Sequence, residues 1–365
     1  MNKRIIISGG GTGGHIFPAV SIANEIKRRD PDADILFVGA KGGMETRVVP
    51  QYNYPIETVW ISGIHRQLSL KNIWRNLSFP IKLISSLMQS GKIVRRFKPE
   101  AVVGVGGYAS GPLGRVAAGK NVPLFICEQN AYPGLVNKWL APKAEKILLG
   151  NGDAAKYFDK SKIVVTGNPI REFKLIDRAE AAKKFDLDPN KPILLSLGGS
   201  LGAMKINEAL EGGLQQIIEA DVQIIWQCGK RYFEALNARV QKHPNVKLMA
   251  FINDMAAAYS AADLIVSRAG GSTISELIAL SKPAILVPSP NVAEDHQTKN
   301  ALSLSEKEAA VLVKDVEAKG KLIPEALSIL GDENKLKTLT GKIEAMEKHN
   351  AAAEIVDEIY KQAYQ

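Results

Sequence analysis

Arg4-Ile5-Ile6-Ile7-Ser8-Gly9-Gly10-Gly11-Thr12-Gly13-Gly14-His15 is the stretch that decides the fold. Ile5, Ile6 and Ile7 run together without polar alternation, which describes a strand covered on both faces, as in a parallel sheet. The glycines let the backbone turn sharply and approach a ligand closely. The residues after His15 have helical spacing, so the unit reads as strand, glycine loop, helix. The first N–H groups of such a helix and its dipole favour an anion.

Outward from there the same unit recurs. Strands are predicted at Arg4–Ser8, Asp34–Val38, Ala101–Val105, Leu124–Cys127, Lys146–Leu149 and Ile163–Thr166 in the first half. The second half gives Ile193–Leu197, Gln223–Gln227, Val246–Met249, Leu264–Ser267, Ala284–Val287 and Ala310–Val313. Helical patterns fill most gaps, so the fold class is α/β, with two Rossmann-like doubly wound domains. The second domain opens as the first does, with Ile193–Leu197 followed by Gly198-Gly199-Ser200-Leu201-Gly202. The predicted domains span residues 1–167 and 168–345, and Gly167–Pro192, with three prolines and many charges, reads as a linker. Residues 346–365 form a helix with Ile355, Ile359 and Tyr360 on one side, expected to pack back on the first domain.

Bulk properties narrow the partners. The 365 residues suit two domains, and the apolar fraction of 45% is ordinary for a globular chain. Cys127 and Cys228 are far apart and in no metal-ligand spacing, which fits a reducing compartment. The apolar run before Gly9 is too short for a secretory signal, and no apolar stretch reaches the roughly 18 residues of a membrane span. The net charge of +9 points to an anionic partner. Basic runs interleaved with aromatics in a nucleic-acid-binding pattern are absent, so no nucleic acid is expected.

Four loops share the strand-to-helix placement: Gly9–Gly14, Gly106–Pro112, Gly198–Gly202 and Gly270–Thr273. Together they imply an anionic ligand between two domains. The first matches G-x-G-x-x-G through Gly9, Gly11 and Gly14. A dinucleotide site would also place an acid at the end of the second strand to hold a ribose, but that strand ends Val38-Gly39-Ala40. The second half offers the better nucleotide pocket. Gly271, Ser272 and Thr273 leave room for a diphosphate over the helix start, and Glu276, one turn on, can accept hydrogen bonds from both ribose hydroxyls.

These motifs, read in order, resemble the bacterial MurG family of N-acetylglucosaminyltransferases. The resemblance is carried by Gly10–Ala19, Gly106–Pro112, Glu128-Gln129-Asn130, Gly167–Arg171 and Gly198–Ala203. It continues through Phe251–Met255, Gly271–Glu276 and Asp295-His296-Gln297 with Asn300-Ala301, and so spans nearly the whole chain. It implies a GT-B-type arrangement of two domains facing a cleft, with UDP-N-acetylglucosamine held mainly by the second. The implied donor contacts are Thr12, Gly13, Gly14, Asn130, Arg171, Ser200, Ile252, Gly271, Ser272, Thr273, Ile274, Ser275, Glu276 and Gln297. Arg171 suits diphosphate charge, Ser200 a phosphate oxygen, the Ile252 backbone a uracil edge, and Gln297 the sugar hydroxyls. This chain has Gly271 where the family often has alanine, and His296-Gln297 where it often has paired glutamines.

The implied reaction is inverting transfer of N-acetylglucosamine to the muramyl sugar of undecaprenyl-pyrophosphoryl-muramyl-pentapeptide, lipid I, giving lipid II. The rivals are a UDP-sugar transferase acting on another lipid, a UDP-sugar epimerase of the same fold, and a non-catalytic sugar-nucleotide-binding subunit. A single displacement needs a base, for which His15 and Glu128 are the candidates. No metal and no other cofactor is expected, because the D-x-D run Asp30–Asp34 precedes a strand and so lies at the sheet edge away from the glycine loops. Between Glu57 and Glu100 the chain is free of acids. It carries Arg66, Lys71, Arg75, Lys82, Lys92, Arg95, Arg96 and Lys98 among Ile73, Trp74, Leu77, Phe79, Ile81, Leu83, Ile84, Leu87 and Met88. That pattern suits an anionic bilayer and a peripheral position on the cytoplasmic face of the inner membrane.

Overall fold

The computed structural model describes residues 3–63, 77–199, 202–240 and 242–364. The chain divides into two compact units, Met1–Arg171 with His349–Gln365, and Glu172–Lys348. The first is built on β1 (Arg4–Gly9), β2 (Asp34–Ala40), β3 (Ile56–Val59), β4 (Ala101–Gly106), β5 (Leu124–Glu128), β6 (Lys146–Leu149) and β7 (Ile163–Val165). They pair in the order β3-β2-β1-β4-β5-β6-β7, every pair parallel. Ile5, Ile6 and Ile7 are fully buried at the centre of this sheet, as their unbroken run requires.

The sequence reading missed β3. Its Ile-Glu-Thr-Val is short, lies at the sheet edge and is only partly covered, so it lacks the continuous apolar run that marks the central strands.

The second unit holds β8 (Ile193–Leu197), β9 (Gln223–Gln227), β10 (Val246–Met249), β11 (Leu264–Ser267), β12 (Ala284–Leu286) and β13 (Val311–Leu312). Their order is β10-β9-β8-β11-β12-β13, again all parallel. Both sheets reverse direction of winding beside their first strand, between β1 and β4 and between β8 and β11. Open α/β sheets bind ligands at the carboxyl ends of the strands flanking such a switch point. All four glycine loops follow those four strands.

Two boundaries differ from the sequence reading. Residues 168–171 stay with the first unit: Asn168 Nδ2 donates to the Gln129 carbonyl at 2.9 Å and Ser21 Oγ to the Ile170 carbonyl at 3.2 Å. From Glu172 onward, the stretch read as a linker is folded into the second unit. Asp177 caps the helix Arg178–Lys183 through the Ala179 and Glu180 amides, and Ala181, Ala182, Phe185 and Leu187 enter the core.

The last helix, Ala351–Ala363, belongs to the first unit and buries Ile355, Val356 and Ile359 in its core. Each such side chain contributes about 1.5–3 kcal/mol. The Arg29–Asp357 ion pair on its rim adds at most about 1 kcal/mol, so the apolar face decides the docking.

Candidate active site: two glycine-loop clusters

In the first unit the loop after β1 folds over a carboxylate. Glu45 is fully buried, with Oε2 accepting the Gly11 amide at 2.9 Å and Oε1 the Ala40 amide at 2.8 Å. A Cβ at Gly10, Gly39 or Gly43 would land on that side chain, so three glycines clear space for one carboxyl group. His15 follows, in the first turn of the helix Gly13–Arg29. Its Nδ1 lies 3.1 Å from the Gly10 carbonyl, which can only accept, so Nδ1 carries the proton and Nε2 is the acceptor nitrogen. Gly106, at φ +97°, faces the same imidazole: a Cβ there would meet Nε2 at 2.8 Å. Thr12 is exposed, and Gly13 and Gly14 are half-buried beside it.

Glu128 ends β5 nearly buried, and its two oxygens are saturated. Oε1 accepts from the Asn130 amide at 3.0 Å and Asn130 Nδ2 at 3.1 Å; Oε2 accepts from the Gly134 amide at 3.0 Å and Asn137 Nδ2 at 2.8 Å. Four donors on one carboxylate hold a loop and orient Asn130. Arg171 is exposed, its guanidinium 6.0 Å from the Phe17 ring centroid. Cys127 is fully buried, and burial pushes its thiol up to about 12, so it is inert.

In the second unit the loop after β11 leads into the helix Gly271–Ala279, whose N-cap, Gly270, brings no side chain to cover the first turn. The loop is braced from behind. Arg268 Nη1 donates to the Val287 and Pro288 carbonyls and pairs with Asp315, while Asn300 Nδ2 donates to the Ala269 carbonyl at 3.0 Å. Ser272, Thr273, Ser275 and Glu276 are half-buried; Gly271 and Ile274 are buried. Fully buried Tyr259 donates its hydroxyl to Glu276 Oε2 at 2.6 Å, fixing the carboxylate. Gln297, in the first turn of the helix His296–Ser305, accepts the Ser289 amide on Oε1 at 2.8 Å. Its amide nitrogen is a hydrogen-bond donor.

Ile252 is buried, and its amide donates to Gln227 Oε1 at 3.0 Å, which leaves its carbonyl as the group for a base edge. A 610 Å³ pocket opens beside it, walled by Phe185, Phe233, Met249 and Phe251 with Lys230 on its lining.

Ser200 lies outside the described residues. The flanking Gly199 and Gly202 take φ +71° and +77°, left-handed conformations suited to glycine. The structure thus gathers Thr12, Gly13, Gly14 and His15 at one switch point, and Gly271–Glu276 at the other. Sequence reasoning missed Glu45 and Tyr259. The glycines Gly42 and Gly43 just before Glu45 were the available signal for the first. For the second it was the lone aromatic in Met255-Ala256-Ala257-Ala258-Tyr259.

Asp30 pairs with Lys3 at 3.4 Å at the start of β1, away from either glycine cluster. Among the described residues no group of three or more His, Cys, Asp or Glu side chains could hold a metal ion.

Two doubly wound sheets, each with glycine loops at its switch point, and a carboxylate held one turn inside an uncapped helix start fit a nucleotide-sugar-handling protein of the GT-B class. The glycosyltransferase family 28 N-terminal domain matches residues 5–149, and its C-terminal domain matches residues 193–359. A protein of Bacteroides fragilis is 50% identical over 99% of this chain and 96% of its own. It is named UDP-N-acetylglucosamine--N-acetylmuramyl-(pentapeptide) pyrophosphoryl-undecaprenol N-acetylglucosamine transferase. A Phocaeicola vulgatus protein of the same name is 50% identical over 99% of this chain and 97% of its own. The crystal structure of Acinetobacter baumannii MurG, 30% identical, covers 99% of this chain and 100% of its own with a TM-score of 0.78. The chain belongs to glycosyltransferase family 28 and, within it, to the MurG family.

Proposed function

We propose that this glycosyltransferase moves N-acetylglucosamine from UDP-N-acetylglucosamine to a hydroxyl of the muramyl sugar of lipid I, forming lipid II for peptidoglycan and hence for cell-wall growth, shape and division. The observation that carries the reading is the helix start at Gly271–Thr273 with Glu276 held one turn along, a site for a diphosphate and the ribose attached to it. The near-full-length match to transferases named for these substrates supports the same assignment. Ser200, Arg171 and Gln297 serve the diphosphate and sugar, the Ile252 carbonyl and its pocket serve the uracil, and Thr12–Gly14 and Asn130 complete the donor contacts.

In the displacement the acceptor hydroxyl oxygen bonds to the anomeric carbon, the bond to UDP breaks with its electron pair on the diphosphate, and the configuration inverts. His15 Nε2 takes the hydroxyl proton, a role that its Nδ1–H tautomer supports. Glu128, with four donors on its oxygens, is assigned to holding Asn130. Helix-start amides and Arg171 meet the leaving charge without a metal ion.

The reading includes a peripheral position on an anionic membrane, at the cytoplasmic face, and the helix Phe79–Phe97 supports the membrane contact. Leu77, Ile81, Ile84 and Met88 fall at helical spacing and are 61–63% exposed, with Lys92, Arg95 and Lys98 exposed further along. Arg66, Lys71, Ile73, Trp74 and Arg75 lie outside the described residues. Among the described residues no helix is long and apolar enough to cross a membrane.

The test is transfer of radiolabel from UDP-N-acetylglucosamine to lipid I, with and without chelator. Label in lipid despite chelator is expected. Strict metal dependence contradicts the metal-free mechanism, and donor binding without turnover on lipid I contradicts the function.

A further inference from the structure

The buried carboxylate of Glu45 and the ring of His15 touch opposite ends of one peptide group. The Gly11 N–H donates to Glu45 Oε2 at 2.9 Å, and the Gly10 carbonyl of the same peptide accepts from His15 Nδ1 at 3.1 Å. A peptide is planar and rigid, so fixing its N–H fixes the direction of its carbonyl. Hydrogen bonds in such a chain polarise one another. The other Glu45 oxygen is tied to the Ala40 amide at 2.8 Å, and Gly10, Gly39 and Gly43 lie so close that a Cβ on any of them would strike the Glu45 side chain. Gly107, at φ +88°, closes the far side: a Cβ there would strike the Gly10 carbonyl oxygen at 2.5 Å.

We propose that Glu45 is a positioning residue for the transfer reaction. Its carboxylate stands inside the first glycine loop as a built-in anion and, through the Gly10–Gly11 peptide, holds His15 in the Nδ1–H tautomer with Nε2 turned to accept a proton. The loop's Gly11 amide is thereby committed to the protein and is not offered to a substrate phosphate. The inference rests on the assignment of His15 as base, and the experiment separates the two.

Glu45→Gln keeps the shape, but its amide can accept from one N–H only and presents a donor to the other. With UDP-N-acetylglucosamine and a short-chain lipid I analogue, kcat of E45Q is expected to fall on the order of tenfold to a hundredfold, with the donor KM unchanged. In a His15→Ala background the same substitution is expected to cause no additional loss, because its effect passes through the imidazole. An equal further loss in that background overturns the inference while leaving the base assignment intact. Full activity of H15A removes the base assignment and this inference with it. A readout independent of turnover, and of whether E45Q folds, is the ¹⁵N spectrum of the His15 imidazole in the wild-type protein. The Nδ1–H tautomer is required, and an Nε2–H tautomer overturns the inference.

Discussion

The loops after β1 and after β11 are the same device put to opposite uses. Each follows a central parallel strand, sits at the switch point of its sheet and starts a helix. After β1 the space beside the glycines is filled by the protein's own carboxylate, Glu45. After β11 the N-cap is Gly270, which brings no side-chain cap to the helix start. Glu276 sits one turn along, its carboxylate held by the Tyr259 hydroxyl, where we propose that it meets a ribose. The difference teaches that a glycine-rich strand-to-helix turn specifies a place for negative charge and is silent on whose charge it is. A nearby acid with glycines cleared around it turns a ligand cradle into a rigid mount for the next side chain, here His15.

That contrast can be broken most severely at Glu276. Glu276→Ala removes the carboxylate proposed to accept from both ribose hydroxyls, and UDP affinity by calorimetry is expected to drop on the order of a hundredfold. Unchanged affinity would place the ribose elsewhere.

Adding one methyl group to each loop sharpens the comparison. Gly10→Ala drives a Cβ into the Glu45 carboxylate, so thermal unfolding is expected to show a destabilisation of about 2 kcal/mol. At Gly270 the nearest atom to an added Cβ is Thr273 Oγ1 at 3.7 Å and φ is −70°, so Gly270→Ala is expected to unfold like the wild type while binding UDP more weakly. Equal stability losses would erase the distinction between a filled and an open loop.

Tyr259→Phe removes one hydrogen bond from Glu276 and keeps the packing. Donor affinity is expected to fall about fivefold, roughly 1 kcal/mol, with little change at the His15 loop.

The smallest effect lies on the back of the first unit's helix. The Arg28 guanidinium, with Arg29 beside it, holds the Glu25 carboxyl at about 2 although burial pushes the other way. A carboxyl lowered on folding adds stability that is complete above its unfolded value and fades as pH drops toward 2. Glu25→Gln is therefore expected to flatten the acid limb of the stability curve below about pH 4.5 and to leave neutral-pH activity unchanged. An unchanged acid limb would contradict the pairing.

The sequence carried most of the strands and the glycine loops that follow four of them, because unbroken runs such as Ile5-Ile6-Ile7 and Leu264-Ile265-Val266 suit strands covered on both faces and the glycines come soon after; the strand order that makes the switch points was not legible. It carried the placement of the last helix through the spacing of Ile355 and Ile359. It did not carry β3, whose Ile-Glu-Thr-Val is half wet, nor the crossing at Arg171, where Asn168 is tied to the first unit by a contact across 39 positions. Glu45 and Tyr259 were illegible for a related reason. Each acts through a hydrogen bond to a distant residue, 34 and 17 positions away, while locally one reads as a helix-start acid and the other as a core aromatic. The D-x-D run was legible as a turn, since Asp34 opens β2 at the end opposite the glycine loops.

Backbone amide shifts on adding UDP-N-acetylglucosamine to ¹⁵N-labelled protein test the central claim most directly. The account predicts the largest movements at the Gly271, Ser272 and Thr273 amides, with the Gly11 amide holding its position on Glu45. A dominant shift at Gly11 with Gly271–Thr273 unmoved would contradict it.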